Sequence, residues 1–205
     1  MKSILISIKP QWVEKILNGE KTIEIRSTVP KEWKEYLRGM TSIKPAPSKW
    51  YIYCTKAKPT LQYFYNWGNY KPINEYSTWA AGSTVNAGEY GNGKIVAEFT
   101  LNKIETSPSI RYKANGAFYQ YNKVSDEILK KSCLTQEQIL HYTNGNNLYA
   151  LHIEDLEIYT KPKELSQFSV GKAKIDCGYG NYNIYNKILK RPPQSWCHVE
   201  SLEGE

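Results

Sequence analysis

Cysteine and histidine are few in this chain and badly spaced for chelation. The four cysteines (Cys54, Cys133, Cys177, Cys197) include no C-x-x-C pair, and the three histidines (His141, His152, His198) do not supply the missing ligands. Zinc sites want closely spaced ligand pairs. The sequence therefore predicts no metal or other cofactor, and free thiols rather than a disulfide framework. Long hydrophobic runs are also missing: none approaches the roughly 18 residues needed to span a bilayer. The opening "MKSILISIKPQW" has too short an apolar stretch, and no small-residue cleavage site, for a secretory signal. A cytoplasmic protein with no membrane partner is expected. No internal repeat and no low-complexity tract is present.

Acidic residues are thin in one part of the chain only. Residues 1–80 hold 13 Lys or Arg against 6 Asp or Glu, whereas residues 81–205 hold 14 against 14. The whole net charge of +7 thus arises in the first two-fifths, with a smaller basic stretch from Lys161 to Arg191. Such a bias favours a polyanionic partner. With 205 residues, 40% of them apolar and 23% charged, the chain can bury a substantial core. It is read as one domain over 1–205, with an aromatic-rich insertion at about 59–93 and a C-terminal extension at about 161–205.

Local patterns place the elements. "SILISI" (residues 3–8) is a short apolar, β-branched run, which predicts a buried strand. Pro10 suits the first turn of a helix, where its missing N–H is not needed. Across "QWVEKILNG", Trp12, Val13, Ile16 and Leu17 share one helical face, and Gly19 is placed to end the helix in a left-handed conformation. "TIEIRS" then alternates: Ile23 and Ile25 on one side, Thr22, Glu24 and Arg26 on the other. A short helix in "PKEWKEYL" and a third strand in "KWYIYCTK" follow. "GEYGNG" lacks the G-K-[ST] ending of a phosphate loop and reads as a turn into a fourth strand, "KIVAEFTLNKIE". Two helical pieces come next, with Ser125 capping the first and Thr135 the second, Gln138 completing a capping box. Gly145 can end the second. "NLYALHIEDLEIY" reads as a fifth strand, bent near Glu154 and Asp155. The absence of a βαβαβ rhythm predicts an α+β fold, a mixed β-barrel of about five or six strands with flanking helices.

Several residues are candidates for chemistry. Lys21 is either an anion-binding or catalytic amine, or a surface lysine near a helix end. Glu24 and Arg26, two apart on one strand face, could form a polar floor. The arginine would offer its planar fork to phosphate or a base edge, and the glutamate would accept from an exocyclic amine. They could equally be an ion pair that orders the strand. The aromatic stretches "YFYNWGNY", "RYKANGAFYQYNK" and "GYGNYNIYNK" mix rings with Lys, Arg and Asn and are candidate stacking platforms. Because Tyr, Asn, Lys and Ile all have A/T-rich codons, they are also explained by base composition and by packing of the insertion. Trp196 in "RPPQSWCHVE" is read as docking the tail.

With these residues in hand, "LISIKPQWVEKILNGEKTIEIR" resembles the opening signature of the ASCH domain, a branch of the PUA-like superfamily of small β-barrels. "SCLTQEQILHYTNG…LYALHIEDLEIYTKPKEL" is similar to the family's downstream half, and "RPPQSWCHVE" to the tail of a longer bacterial and prophage subgroup. The resemblance covers about residues 3–26, 49–56, 94–105 and 132–165 plus the tail. It implies a PUA-like barrel with a cleft beside the first helix, lined by Lys21, Thr22, Glu24 and Arg26, with Lys9 pointing toward it. The partner it implies is RNA or a modified nucleoside or nucleotide. One branch of the family hydrolyses N4-acetylcytidine, with a lysine at the position of Lys21, a threonine at that of Glu24 and a glutamate near Ser132. This chain matches only the lysine. A small hydrolase or ribonuclease using Lys21 and Glu24 is therefore the alternative to a binding module. A phage or host protein-interaction module presenting the aromatic insertion is a third reading.

Overall fold

The computed structural model describes residues 3–58, 62–66, 69–73, 91–107, 109–115, 117–144, 146–176 and 182–201. These residues form four helices and fourteen strands, in the α+β class that the sequence predicts. In chain order they are β1 (Ser3–Ile8), α1 (Pro10–Leu17), β2 (Ile23–Arg26), α2 (Lys31–Leu37), β3 (Ser48–Cys54), β4 (Gln62–Asn66), β5 (Asn69–Ile73), β6 (Ile95–Leu101) and β7 (Ile104–Ser107). The remainder are β8 (Ser109–Ala114), β9 (Ala117–Asn122), α3 (Asp126–Ser132), α4 (Gln136–Thr143), β10 (Leu148–His152), β11 (Glu154–Lys163), β12 (Phe168–Asp176), β13 (Tyr182–Ile188) and β14 (Trp196–Ser201). Among the described residues, no helix is long and apolar enough to cross a membrane.

The chain forms two compact units. The first holds Met1–Asn18, Ser48–Phe99 and Leu156–Glu205; the second holds Gly19–Pro47 and Thr100–Asp155. The first unit is built on a seven-stranded sheet in the order β11-β6-β3-β1-β14-β12-β13. Here β1 runs parallel to β3, with Leu5 beside Tyr51, and antiparallel to β14, with Ile6 opposite Trp196. β1 is apolar apart from Ser3 and Ser7 and is buried from Ile4 to Ile8, as a strand flanked on both edges inside a sheet should be. Its core includes Leu5, Tyr51, Tyr53, Ile95, Tyr159, Phe168, Leu189 and Val199. The tail is held by more than ladder bonds: Ser7 N–H donates to the Ser195 carbonyl at 2.9 Å and Ser7 Oγ to the Pro193 carbonyl at 2.7 Å.

The second unit is built on a three-stranded antiparallel sheet, β2-β10-β7. Ile23, Ile25, Leu148 and Ala150 on one face of it pack with Val124, Ile128 and Ile139. That brings α3 and α4 onto β2 and β10. Both helices begin as their sequences require: Ser125 Oγ accepts from the Ile128 N–H, and Thr135 and Gln138 bond reciprocally in a capping box. α4 closes with Asn144 in the left-handed conformation (φ 45°); Gly145 lies outside the described residues. α1 ends at Asn18, with Gly19 next at φ +75°. In the turn before β6, Gly93 has φ +85°, and a Cβ there would lie 2.8 Å from Lys56 Cε. Only glycine fits that turn without strain.

Strand number exceeds the expected five or six. All five expected strands are present, but two of them are each two strands. "KIVAEFTLNKIE" divides at Asn102–Lys103 into β6, in the larger sheet, and β7, in the smaller one. "NLYALHIEDLEIY" divides at Ile153 into β10 and β11, likewise in different sheets, with Asp155 at φ 47°. Residues 168–201 supply β12, β13 and β14 to the larger sheet. The aromatic stretches contribute the hairpins β4–β5 and β8–β9, whose ring positions lie outside the described residues, as does most of 59–93.

Candidate functional site

Lys21, Glu24 and Arg26 converge within the second unit. β2 alternates, so its isoleucines enter the apolar cluster while Glu24 and Arg26 take the opposite face. Cross-strand pairing sets Glu24 beside Leu151 and Arg26 beside Tyr149, both of which are buried. Glu24 bridges two cations: its Oε2 lies 3.3 Å from Lys21 Nζ and its Oε1 lies 3.1 Å from Arg26 Nη2. Lys21 Nζ also donates to the Ser132 carbonyl at 2.7 Å, at the last residue of α3. The segment entering β2 is fixed from its backbone as well. The Thr22 N–H donates to the Lys131 carbonyl, and its carbonyl accepts from the Ile153 N–H.

Burial separates this array from an ordinary surface network. Lys21 retains 2% of its accessible surface, and Glu24 and Arg26 retain 7% each. Lys21 is thus not a surface lysine. Two cations and one carboxylate withdrawn from water lose several kcal/mol of hydration per ion, roughly, which their mutual attraction offsets only when geometry is good. A Lys amine aimed at a carboxylate and a carbonyl is a fixed point donor, and the Arg fork on Glu24 a fixed planar one.

The other candidate residues stand elsewhere. Thr22 is exposed and takes part through its backbone. Lys9 belongs to the first unit, exposed at the N-terminal cap of α1. Ser132 was not among the candidates for the site. No residue type marks it, because its carbonyl is what binds, and only the capped helix ending at that position points to it. Its carbonyl is brought to Lys21 by the close of α3.

Cysteine chemistry is quiet. Cys54, Cys133 and Cys197 are free, and Cys177 lies outside the described residues. Burial pushes the Cys54 thiol up to about 12 and raises that of Cys197 as well, which disfavours the reactive thiolate. Among the described residues, no group of three or more His, Cys, Asp or Glu could hold a metal ion.

A second charged cluster occupies the opposite edge of the same sheet. Glu105 on β7 accepts from Lys103 Nζ at 2.7 Å and lies 2.8 Å from His152 Nε2. The Lys103 hydrogen bond, aided by that of His152, holds the Glu105 carboxyl below its ordinary value.

No family model and no curated protein matches the chain. Among solved structures, the chain is similar to the ASCH protein of Zymomonas mobilis, at 15% identity over 97% of this chain and 88% of that one, with a TM-score of 0.49. Two mutants of that protein match at 15% and 14% identity, over 98% and 97% of this chain and 91% and 89% of theirs, each with a TM-score of 0.49.

Proposed function

We propose that the chain is a PUA-like ASCH-type module that binds RNA or a modified nucleoside, with Glu24 and its two cations as the recognition array. The observation that carries this reading is the near-complete burial of Lys21, Glu24 and Arg26 around one carboxylate. A buried ion triad contributes little net stability, so its presence is better explained by what it can recognise. Glu24 supplies an acceptor suited to an exocyclic amine, and Arg26 supplies donors for phosphate or a base edge. The basic surplus of residues 1–80 and the G-x-K-T-x-E-x-R resemblance support the same partner class.

The experiment is isothermal titration of cytidine, N4-acetylcytidine and a short RNA into wild type and Glu24→Gln. The expected result is binding of at least one of these and a loss of tenfold or more in the variant, roughly 1.4 kcal/mol. Equal affinity for wild type and a folded Glu24→Gln protein overturns the reading.

The hydrolase alternative uses the same residues differently. Lys21 would stabilise an oxyanion or activate water, with Glu24 as its acid–base partner. The engagement of the Lys21 amine by Glu24 and the Ser132 carbonyl favours binding over this alternative. Metal-independent turnover of N4-acetylcytidine or labelled RNA, abolished by Lys21→Ala, would decide for the enzyme.

A further inference from the structure

The first unit carries a basic concavity that the Glu24 array does not explain. It is an open depression of about 590 Å³, lined by Lys94, Lys161 and Lys163 together with Pro162, Glu164, Ser166 and Gln167. Cations outnumber the one carboxylate three to one. Glu164 lies 3.4 Å from Lys94 Nζ, and the lining includes no aromatic ring.

The lysines are set on a prepared support. On β11, Tyr159 is buried in the core, Lys161 is exposed and Lys163 is half-buried. Lys163 Nζ sits 4.7 Å above the Tyr159 ring, a cation–π contact. The Tyr159 hydroxyl donates in turn to Glu98 on β6, and Glu98 also pairs with Lys49 at 2.6 Å. Burial, reinforced by that hydrogen bond, pushes the Tyr159 hydroxyl far above its ordinary value, so it remains a donor at every pH of interest. The chain Lys49–Glu98–Tyr159–Lys163 thus fixes one lysine at the rim.

We propose that this concavity binds the phosphodiester backbone of a single-stranded nucleic acid. Lysines act on phosphate as point charges. Two of them at i and i+2 of a strand stand about 7 Å apart along it, close to the separation of successive phosphates in a single strand. A cationic lining without an aromatic ring suits backbone rather than base. The surrounding charge agrees: residues 161–191 hold seven Lys or Arg against two Asp or Glu, and Lys172, Lys174, Lys187, Lys190 and Arg191 are all exposed. This site goes beyond the array in the second unit and does not use it.

The test is anisotropy of a labelled 12-nucleotide oligouridylate with the full chain, titrated across salt for wild type, Lys161→Ala and the Lys161→Ala/Lys163→Ala pair. The expected result is a graded weakening, with the slope of log affinity against log salt reduced by about 0.7 for the single change and about 1.4 for the pair. Lys161 is exposed, so its single variant keeps the measurement free of any effect on the Tyr159 packing. An unchanged slope in both variants overturns the site. So does displacement of the oligonucleotide by tripolyphosphate at equal phosphate concentration, which would mark a free-phosphate pocket. Polyglutamate competing as well as RNA would mark an acidic-protein surface instead and overturn it too. Wild type that fails to bind the oligonucleotide overturns both this site and the RNA reading. Loss in Glu24→Gln with no change in the lysine variants overturns this site alone.

Discussion

The three-stranded sheet of the second unit carries two glutamates at opposite edges, each between two bases, and besides an arginine in one where the other has a histidine, the two differ chiefly in their access to water. Glu24 on β2 joins Lys21 and Arg26; Glu105 on β7 joins Lys103 and His152. The Glu24 side chain is 9% exposed and that of Glu105 is 40% exposed. Distances of 2.7 and 2.8 Å at Glu105 are shorter than the 3.3 and 3.1 Å at Glu24, yet the tighter cluster should matter less. Solvent screens an exposed pair to roughly 0–1 kcal/mol. In the buried one, removal of a partner leaves a charge that neither water nor protein stabilises. Contact length is therefore a poor guide to energetic weight here, and burial is the better one.

The largest expected effect follows directly. Glu24→Ala leaves Lys21 and Arg26 buried without their shared anion, and should destabilise the fold by about 3–5 kcal/mol. Urea unfolding measures it; a change below 1 kcal/mol would mean that water reaches both cations.

A smaller effect, of opposite sign, sharpens the comparison. Replacing the whole array, Lys21→Met/Glu24→Leu/Arg26→Met, removes every ion at once. Apolar replacements of similar volume for buried ion pairs are commonly neutral or stabilising by roughly 1–4 kcal/mol. The triple variant should therefore fold at least as stably as wild type while losing nucleoside binding. A stable triple variant that still binds would return the array to a purely structural role. Loss of the fold would show that the charges specify the packing of β2 against α3.

The same local-versus-distant division governs what was legible from sequence. The strand–helix–strand opening, both helix caps and the polar face of β2 could be read, because each is decided by residues within a few positions of one another. The convergence of Glu24 and Arg26 was legible for the same reason, being a two-residue alternation. The Lys21 partner 111 positions away was not, since a main-chain carbonyl has no residue signature. Nor was the division of the fourth strand, whereas the bend expected near Glu154 and Asp155 adjoins the break at Ile153. Neither Pro nor Gly marks Asn102–Lys103 or Ile153, and apolar residues continue on both sides. Only Asp155, an acid in a left-handed conformation, betrays the second break. The tail resisted reading because glycine, asparagine and lysine dilute the alternation of β12 and β13, whose strand character comes from pairing with each other.

The smallest effect belongs to the exposed cluster and is best seen through pH. Glu105→Gln keeps the shape of the side chain and removes its charge, so the loss at neutral pH should be under about 1 kcal/mol. The folded-state carboxyl titrates below its ordinary value, chiefly through the Lys103 hydrogen bond. A depressed carboxyl contributes stability that is complete above the unfolded value and is lost as pH falls through the folded one. The difference between wild type and Glu105→Gln should accordingly hold steady above the ordinary carboxylate value of 4.5 and shrink below it. Thermal melting of both proteins from pH 7 to pH 3, at low and high salt, measures that difference. Salt should erase it, because the cluster is exposed. A gap that widens on acidification would reverse the assigned direction, and one that resists salt would place Glu105 in an environment as dry as that of Glu24.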